Sequence, residues 1–377
     1  MNAPSGPALK DAVRGHLPAL DGLRGVAILL VLLHAFDVFG PAPAVAHLAG
    51  IVLDVGWIGV QLFFVLSGFL ITGILLDTRS STGWYRRFFV RRILRIFPLY
   101  FGVLAIAFLI LPGLVALPPG HGLHQAWLWT FTENYTAPFN GGEKAFPHFW
   151  SLCVEEQFYL IWPLVIALFA RSGTIVFSTA LVFIAIAARV FVRQHFGDPT
   201  GIDATYVFTP CRMDALAMGA MAAALVRGER AARWIASRPP GLLAWSGAGI
   251  VIAGLLYGRL QRTGVQMQGA GYTVIALGFA VALIGVLRTD HLCARMLQQP
   301  ALRRVGKYSY GMYVFHAPLH LFVGLPLLAR IGQAPGPLQA AVYLLAATLA
   351  TYAAGALSYH AYERHFLALK PVLAPAA

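Results

Sequence analysis

Ten apolar stretches run through this sequence, at approximately 22–39, 51–76, 96–117, 149–169, 174–192, 209–226, 241–257, 269–287, 308–329 and 338–358. Each is close to the roughly 20 residues that a helix needs to cross a bilayer. The fold class that follows is all-α, a polytopic membrane bundle of about ten transmembrane helices. Only 11% of the residues are charged against 58% hydrophobic, whereas soluble domains carry roughly 25% charged residues. A chain with so few charges cannot cover a water-facing surface, which excludes a soluble globule. Glycine and proline interrupt several stretches, as in Ser67-Gly68-Phe69 and Phe315-His316-Ala317-Pro318. Membrane helices tolerate such breaks where neighbouring groups satisfy the freed backbone.

The net charge is +13, which in a soluble protein would raise the question of nucleic acid. Placement answers it. With the N-terminus inside, twenty of the 28 basic residues fall on the cytoplasmic side, including Arg86, Arg87, Arg91, Arg92 and Arg95 after the second stretch. The opposite side holds Lys144, Arg193, Arg259, Arg262 and Arg330. This asymmetry predicts an even number of helices with both termini in the cytoplasm, in a cytoplasmic (inner) membrane protein whose partners are membrane lipids and not nucleic acid. Residues 1–377 are expected to form one membrane domain, with 1–20 and 360–377 as cytoplasmic tails. Ala44-Val45-Ala46 resembles a signal-peptidase site. Retention of the first segment is nevertheless expected, because a long polar region precedes it and it contains Arg24 and His34. Cys153, Cys211 and Cys293 lie far apart with no CxxC pair, so neither a disulfide framework nor a zinc site is expected. The longest loop, about 118–148, carries His121, Trp127, Trp129 and Glu133, a composition that fits an interfacial aromatic belt or a short lid.

Titratable side chains in hydrocarbon are costly, so those inside the stretches are the candidates for chemistry. Arg24 and His34 share the first. Ten helical steps separate them by about 15 Å of rise, placing Arg24 near the cytoplasmic interface and His34 at or beyond the midplane. A neutral His34 can act as general base toward a hydroxyl, or it can be a packed histidine bonded across helices. Arg24 suits a phosphate or carboxylate, or simple anchoring at the interface. Glu155 and Glu156 open the fourth stretch and face about 100° apart. One of them can orient His34 or bind an acceptor hydroxyl, or the pair can belong to a structural polar network. Arg87, Arg91 and Arg95 recur every four residues, with Arg92 on the same general side. That cationic stripe suits lipid headgroups or the phosphates of a nucleotide thioester. Arg212 and Asp214 are expected to pair with each other or across helices. Tyr308, Ser309, Tyr310, Tyr313 and His316 fit a donor pocket on the cytoplasmic side or an aromatic girdle. Asp54, Gln61, Arg189 and Glu363 are weaker candidates. Walker, HExxH and GxSxG patterns are absent from the sequence.

In order and topology these clusters resemble integral membrane acyltransferase family three. The shared landmarks are Asp21-Gly22-Leu23-Arg24-Gly25 with His34 downstream, Leu62 through Ile71, Arg91-Arg92-Ile93-Leu94-Arg95-Ile96-Phe97-Pro98, Ser151-Leu152 through Glu155-Glu156-Gln157-Phe158-Tyr159, and Tyr308-Ser309-Tyr310 with His316. The resemblance covers nearly the whole chain. It implies a ten-helix membrane O-acyltransferase that takes an acyl group, expected to be acetyl, from cytoplasmic acyl-coenzyme A. The implied acceptor is a hydroxyl of a cell-surface or exported glycan, or a lipid-linked sugar. By the same resemblance Arg24 and His34 match the family's essential pair in the first helix, and Arg91, Arg92 and Arg95 its arginines after the second. Read together with the residues, this makes His34 the expected catalytic group, assisted by Glu155 or Glu156, with Arg24, Arg91, Arg92, Arg95, Tyr308, Tyr310 and His316 expected to hold the donor and no metal required. Two departures stand out. Nine residues separate Arg24 from His34 where the family pattern has ten, turning their ideal relative direction from about 20° to about 80°. The proline that usually follows the late glutamate is replaced here, since Glu363 is followed by Arg364. Direct transfer is expected over a covalent intermediate on Ser67, Ser151 or Cys153. The alternatives are O-acylation of a small molecule or lipid and, from another class, a secondary transporter. A transporter should show pathway polarity over more spans and a repeated half.

Overall fold

The computed structural model describes residue 15 and residues 17–38, 53–114, 120–330 and 336–375. Lys10, Arg14 and Ala44-Val45-Ala46 lie outside the described residues. All regular structure among the described residues is helical. Ten helices answer to the ten apolar stretches: α1 Pro18–Ala35, α2 Ile58–Thr78, α3 Trp84–Ala105, α4 Trp150–Leu168, α5 Arg171–Phe196, α6 Thr209–Val226, α7 Leu242–Tyr257, α8 Tyr272–Val286, α9 Pro300–Leu319 and α10 Pro337–Ser358. Among the described residues, eight helical runs are long and apolar enough to cross a membrane. The other two are α7, which is apolar but shorter, and α6, which carries Arg212 and Asp214. The chain is a multi-pass membrane protein.

Boundaries differ from the hydropathy pattern where helices carry charge. Helix α3 starts at Trp84 rather than near 96, so Arg87, Arg91 and Arg95 belong to the spanning helix itself. Helix α9 starts at Pro300, which puts Tyr308 two turns inside it. Beyond α10 the chain continues through a π-helical turn, Tyr359–Glu363, into short helices at Arg364–Leu367 and Lys370–Leu373. Residues 360–373 are therefore mostly helical. Another π-helical turn, His320–Gly324, follows Pro318 at the end of α9. Proline removes an intrahelical donor and crowds the preceding turn, and a widened turn is one way to absorb that.

The chain divides into two compact units. The first comprises residues 1–34, 51–77 and 158–307. Helix α1 enters it at very close range to α9, because a Cβ on Gly306 would fall 1.8 Å from the Asp21 carbonyl oxygen. Its apolar core includes Trp57, Val251, Leu255, Met267 and Tyr272. Its polar core is a cross-helix ion pair: the guanidinium of Arg189 donates to Asp214 at 2.9 Å, to the Cys211 carbonyl at 2.7 Å, to the Gly269 carbonyl at 3.0 Å and to Thr273 at 2.6 Å. Arg212 donates to Gln61 at 2.5 Å and lies 4.4 Å from the centre of the Tyr272 ring. Asp214 thus pairs across helices, and not with the arginine two residues before it, because positions i and i+2 point about 200° apart on a helix.

The second unit comprises residues 35–50, 78–157 and 308–377. Two short helices, Gln125–Trp129 and Glu133–Asn140, fill its long loop. Tyr100 of α3 stacks on Phe131 and Phe149 of that loop at 4.3 and 4.9 Å and donates its hydroxyl to the Leu128 carbonyl. The loop is therefore a packed, partly helical segment anchored on α3. Within it Glu133 is buried and accepts the Glu143 backbone N–H at 2.7 Å through Oε1, while Oε2 finds no partner among the described residues. Burial raises the Glu133 pKa above the usual carboxylate range.

Candidate active site

His34 sits one residue from the C-terminus of α1, half-buried. Its Nδ1 lies 3.3 Å from the Leu53 carbonyl oxygen. A carbonyl can only accept, so the proton in this contact belongs to Nδ1, and a neutral imidazole then carries its lone pair on Nε2. The first unit thus presents His34 with an oriented imidazole. Its position depends on Gly56, in the 3-10 turn Val55–Trp57 that precedes α2. A Cβ at Gly56 would lie 2.3 Å from the Leu30 carbonyl oxygen and 3.0 Å from the His34 Cβ. Nothing larger than glycine lets the two segments approach this closely. Arg24 lies at the other end of α1, where it forms an ion pair with Asp21 at 3.1 Å.

In the second unit the structure brings together several residues singled out in the sequence. Tyr310 of α9 donates to the Ile96 carbonyl of α3 at 2.8 Å. It lies within electrostatic range of Glu156, Glu363, Arg95 and Glu155, and Glu156 lies within range of Arg92. Both neighbouring glutamates of α4 are half-buried, with Gln157 beside them donating to the Phe131 carbonyl at 2.7 Å and to Asn134 at 3.0 Å. Glu363 accepts from Ser358 at 3.0 Å, and the Tyr308 hydroxyl contacts His360 Nε2 at 3.0 Å. Arg91 donates twice to the Ala374 carbonyl, at 3.0 and 2.8 Å, docking the segment after α10 onto α3. Lys370 of that segment joins Arg95, Arg92 and Arg91 electrostatically. These cations repel one another, and Glu156 and Glu363, within range of Arg92 and Arg95, offset part of their charge.

His316 lies apart from this cationic group, in an imidazole and aromatic cluster of the same unit. Its Nδ1 donates to the Tyr313 carbonyl at 2.6 Å, and its ring centre is 4.3 Å from that of His148. His148 belongs to the turn before α4 and was not among the residues singled out in the sequence. Ser151 and Tyr313 hydroxyls lie 2.5 Å apart and both reach the His148 carbonyl, at 3.1 and 3.0 Å. In the first unit Ser67 accepts from Tyr159 at 3.0 Å. Cys153 is buried.

Each unit of this multi-pass helical protein holds charged and hydrogen-bonding groups among its apolar helices. A family model described as an acyltransferase domain matches residues 17–356, and the chain belongs to acyltransferase family 3, whose members are enzymes of acyl transfer. It is 25% identical over 323 residues to the O-acetyltransferase OatA of Staphylococcus aureus strain NCTC 8325, a match covering 82% of this chain and 51% of the relative. The OatA protein of strain COL matches at the same identity and coverage. The chain thus spans about half the length of the curated relatives it matches. No solved structure matches it.

Proposed function

We propose that this protein takes an acyl group, acetyl in the first instance, from acyl-coenzyme A at the cytoplasmic face of the inner membrane and transfers it to a hydroxyl of a cell-surface or exported glycan. Both termini then lie in the cytoplasm, as the distribution of basic residues supports. The observation that carries the proposal is the Leu53 carbonyl on His34 Nδ1, since it leaves Nε2 as the acceptor nitrogen that base catalysis needs.

In the proposed reaction Nε2 takes the acceptor's hydroxyl proton as that oxygen attacks the thioester carbonyl. The C–O bond forms, the C–S bond breaks, and the proton passes from the imidazolium to the leaving thiolate, giving the ester and free coenzyme A. Arg91, Arg92 and Arg95 meet the donor's phosphates, with Arg24 at the cytoplasmic end of α1. Tyr308 and Tyr310 complete the donor side. Glu155 and Glu156 are the carboxylates available to hold the acceptor hydroxyl or to raise the basicity of the catalytic imidazole. The O-acetyltransferase names of the relatives support acetyl as the group and oxygen as the acceptor atom.

The test is incubation of the purified protein in liposomes with labelled acetyl-coenzyme A and extracted glycans. Label on the glycan, stoichiometric with released coenzyme A, is the expected result. Label on lipid or a small molecule instead would replace the acceptor class, and donor-independent movement of substrate would favour a transporter.

A further inference from the structure

His148 combines a fixed position with uncommitted chemistry. Its backbone carbonyl receives the hydroxyls of Tyr313 and Ser151, which pins the turn where the chain enters α4. Its ring is more than nine-tenths buried and is enclosed by Phe149 at 4.7 Å, Tyr313 at 5.2 Å and His316 at 4.3 Å between ring centres. Yet neither Nδ1 nor Nε2 makes a hydrogen bond of ordinary geometry among the described residues, although the backbone of Val314 and Tyr313 lies within range of the ring. A buried polar atom left unpaired is disfavoured by about 1–3 kcal/mol, and an imidazole leaves two such atoms, one donor and one acceptor when neutral. An apolar residue of similar size would fill the same space without that penalty, so the polar atoms suit a hydrogen-bonding partner beyond the described residues.

The surroundings narrow the class of partner. Burial, reinforced by the facing imidazole of His316, holds the His148 pKa well below the usual histidine value, so the ring is neutral and offers no charge to an anion. A neutral group that both donates and accepts satisfies either ring nitrogen in either tautomer, and an alcohol is such a group. The stacked and edge-on rings around it suit the C–H faces of a sugar or polyol. Five residues, about 7.5 Å of helix rise, separate Ser151 along α4 from Glu156, one of the two carboxylates proposed to hold the acceptor hydroxyl.

We propose that His148 is an acceptor-binding residue, which takes one hydroxyl of a neutral sugar or polyol against a wall made by Tyr313, Ser151 and His316. The assignment rests on the acyl-transfer function proposed above and adds to it the acceptor's charge class and one of its contacts. His316 accordingly serves the acceptor rather than the coenzyme A donor.

The experiment measures transfer from labelled acetyl-coenzyme A to methyl glucoside, methyl N-acetylglucosaminide and glycerol as probes, with initial rates taken while each substrate is varied. The wild type is compared with His148→Leu and His148→Gln. Loss of one hydrogen bond is expected to raise the acceptor KM about tenfold in His148→Leu. The KM for acetyl-coenzyme A should not move and thermal stability should be unchanged or higher. His148→Gln, which keeps a donor and an acceptor, should recover part of the acceptor affinity. An unchanged acceptor KM in His148→Leu would mean that the ring nitrogens hold water only, overturning the proposal. A loss of stability in both variants, with both KM values raised together, would make His148 a structural residue and overturn it equally. A wild type that esterifies none of the three probes would instead overturn the hydroxyl-acceptor function on which the proposal rests.

Discussion

Gly56→Ala tests whether the placement of His34, and not only its presence, matters to the chemistry. The new methyl would sit 2.3 Å from the Leu30 carbonyl oxygen and 3.0 Å from the His34 Cβ. Comfortable contacts begin above about 3.3 Å, so α1 and the turn before α2 must separate by about 1 Å. Both obstructing atoms belong to the last turns of α1, and the side chain that moves with them is the proposed base. Overpacking of this kind costs about 1–3 kcal/mol of stability, which leaves most of the protein folded. A 1 Å misplacement of a catalytic group costs about 100-fold in rate. The assay is kcat for acetyl transfer, taken beside a thermal unfolding curve in the same detergent. The control is Gly249→Ala in α7, where a Cβ meets nothing within 4 Å and the helix should be unaffected or slightly more stable. A Gly56→Ala protein with wild-type kcat would refute the dependence of catalysis on this contact. So would a loss of rate fully accounted for by the unfolded fraction.

Asp214→Asn keeps the shape of the side chain and removes the charge that balances Arg189, whose side chain is fully buried. Breaking one side of a buried pair costs about 3–5 kcal/mol, and a thermal midpoint within a degree of wild type would contradict the reading of this pair as a structural lock. Glu133 has a pKa raised by burial, so the folded state binds more protons than the unfolded state above the ordinary carboxylate value. Stability should therefore fall as pH rises from about 4.5, and Glu133→Gln should flatten that slope in unfolding curves recorded at pH 5 and pH 7. Arg92→Ala with Arg95→Ala should raise the KM for acetyl-coenzyme A more than that for its 3′-dephospho analogue; equal effects on the two donors would remove the 3′-phosphate from this group.

Each of α1 to α10 is visible as an apolar stretch, and among the described residues eight helical runs have the length and apolarity that a crossing of hydrocarbon imposes on composition. Their ends are less visible. Trp84 to Arg95 and Pro300 to Lys307 are helical but rich in arginine and lysine, and a hydropathy pattern weighs such residues against a span even when their stems lie along the helix and their heads reach the interface. Pairing was legible in kind but not in partner: Arg212 and Asp214 needed compensation, and only tertiary structure shows that Asp214 turns to Arg189 while Arg212 turns to Gln61 and Tyr272. The candidate site divides in the same way. Glu156, Arg92, Arg95 and Tyr310 announced themselves as polar groups in apolar surroundings, and the second unit brings them within electrostatic range. His148 announced nothing, since a histidine in a loop is ordinary until the fold buries it against His316 and Tyr313. The carbonyl that orients His34 was equally silent, because a backbone acceptor is common to every residue.

Base catalysis by His34 is the central claim, and single-turnover transfer from labelled acetyl-coenzyme A by wild type and His34→Gln tests it most directly. The glutamine can still donate to the Leu53 carbonyl but cannot take a proton. The account predicts a fall of at least about 100-fold in the transfer step, with donor binding intact and thermal stability close to wild type. A His34→Gln protein that transfers label at the wild-type rate would contradict it.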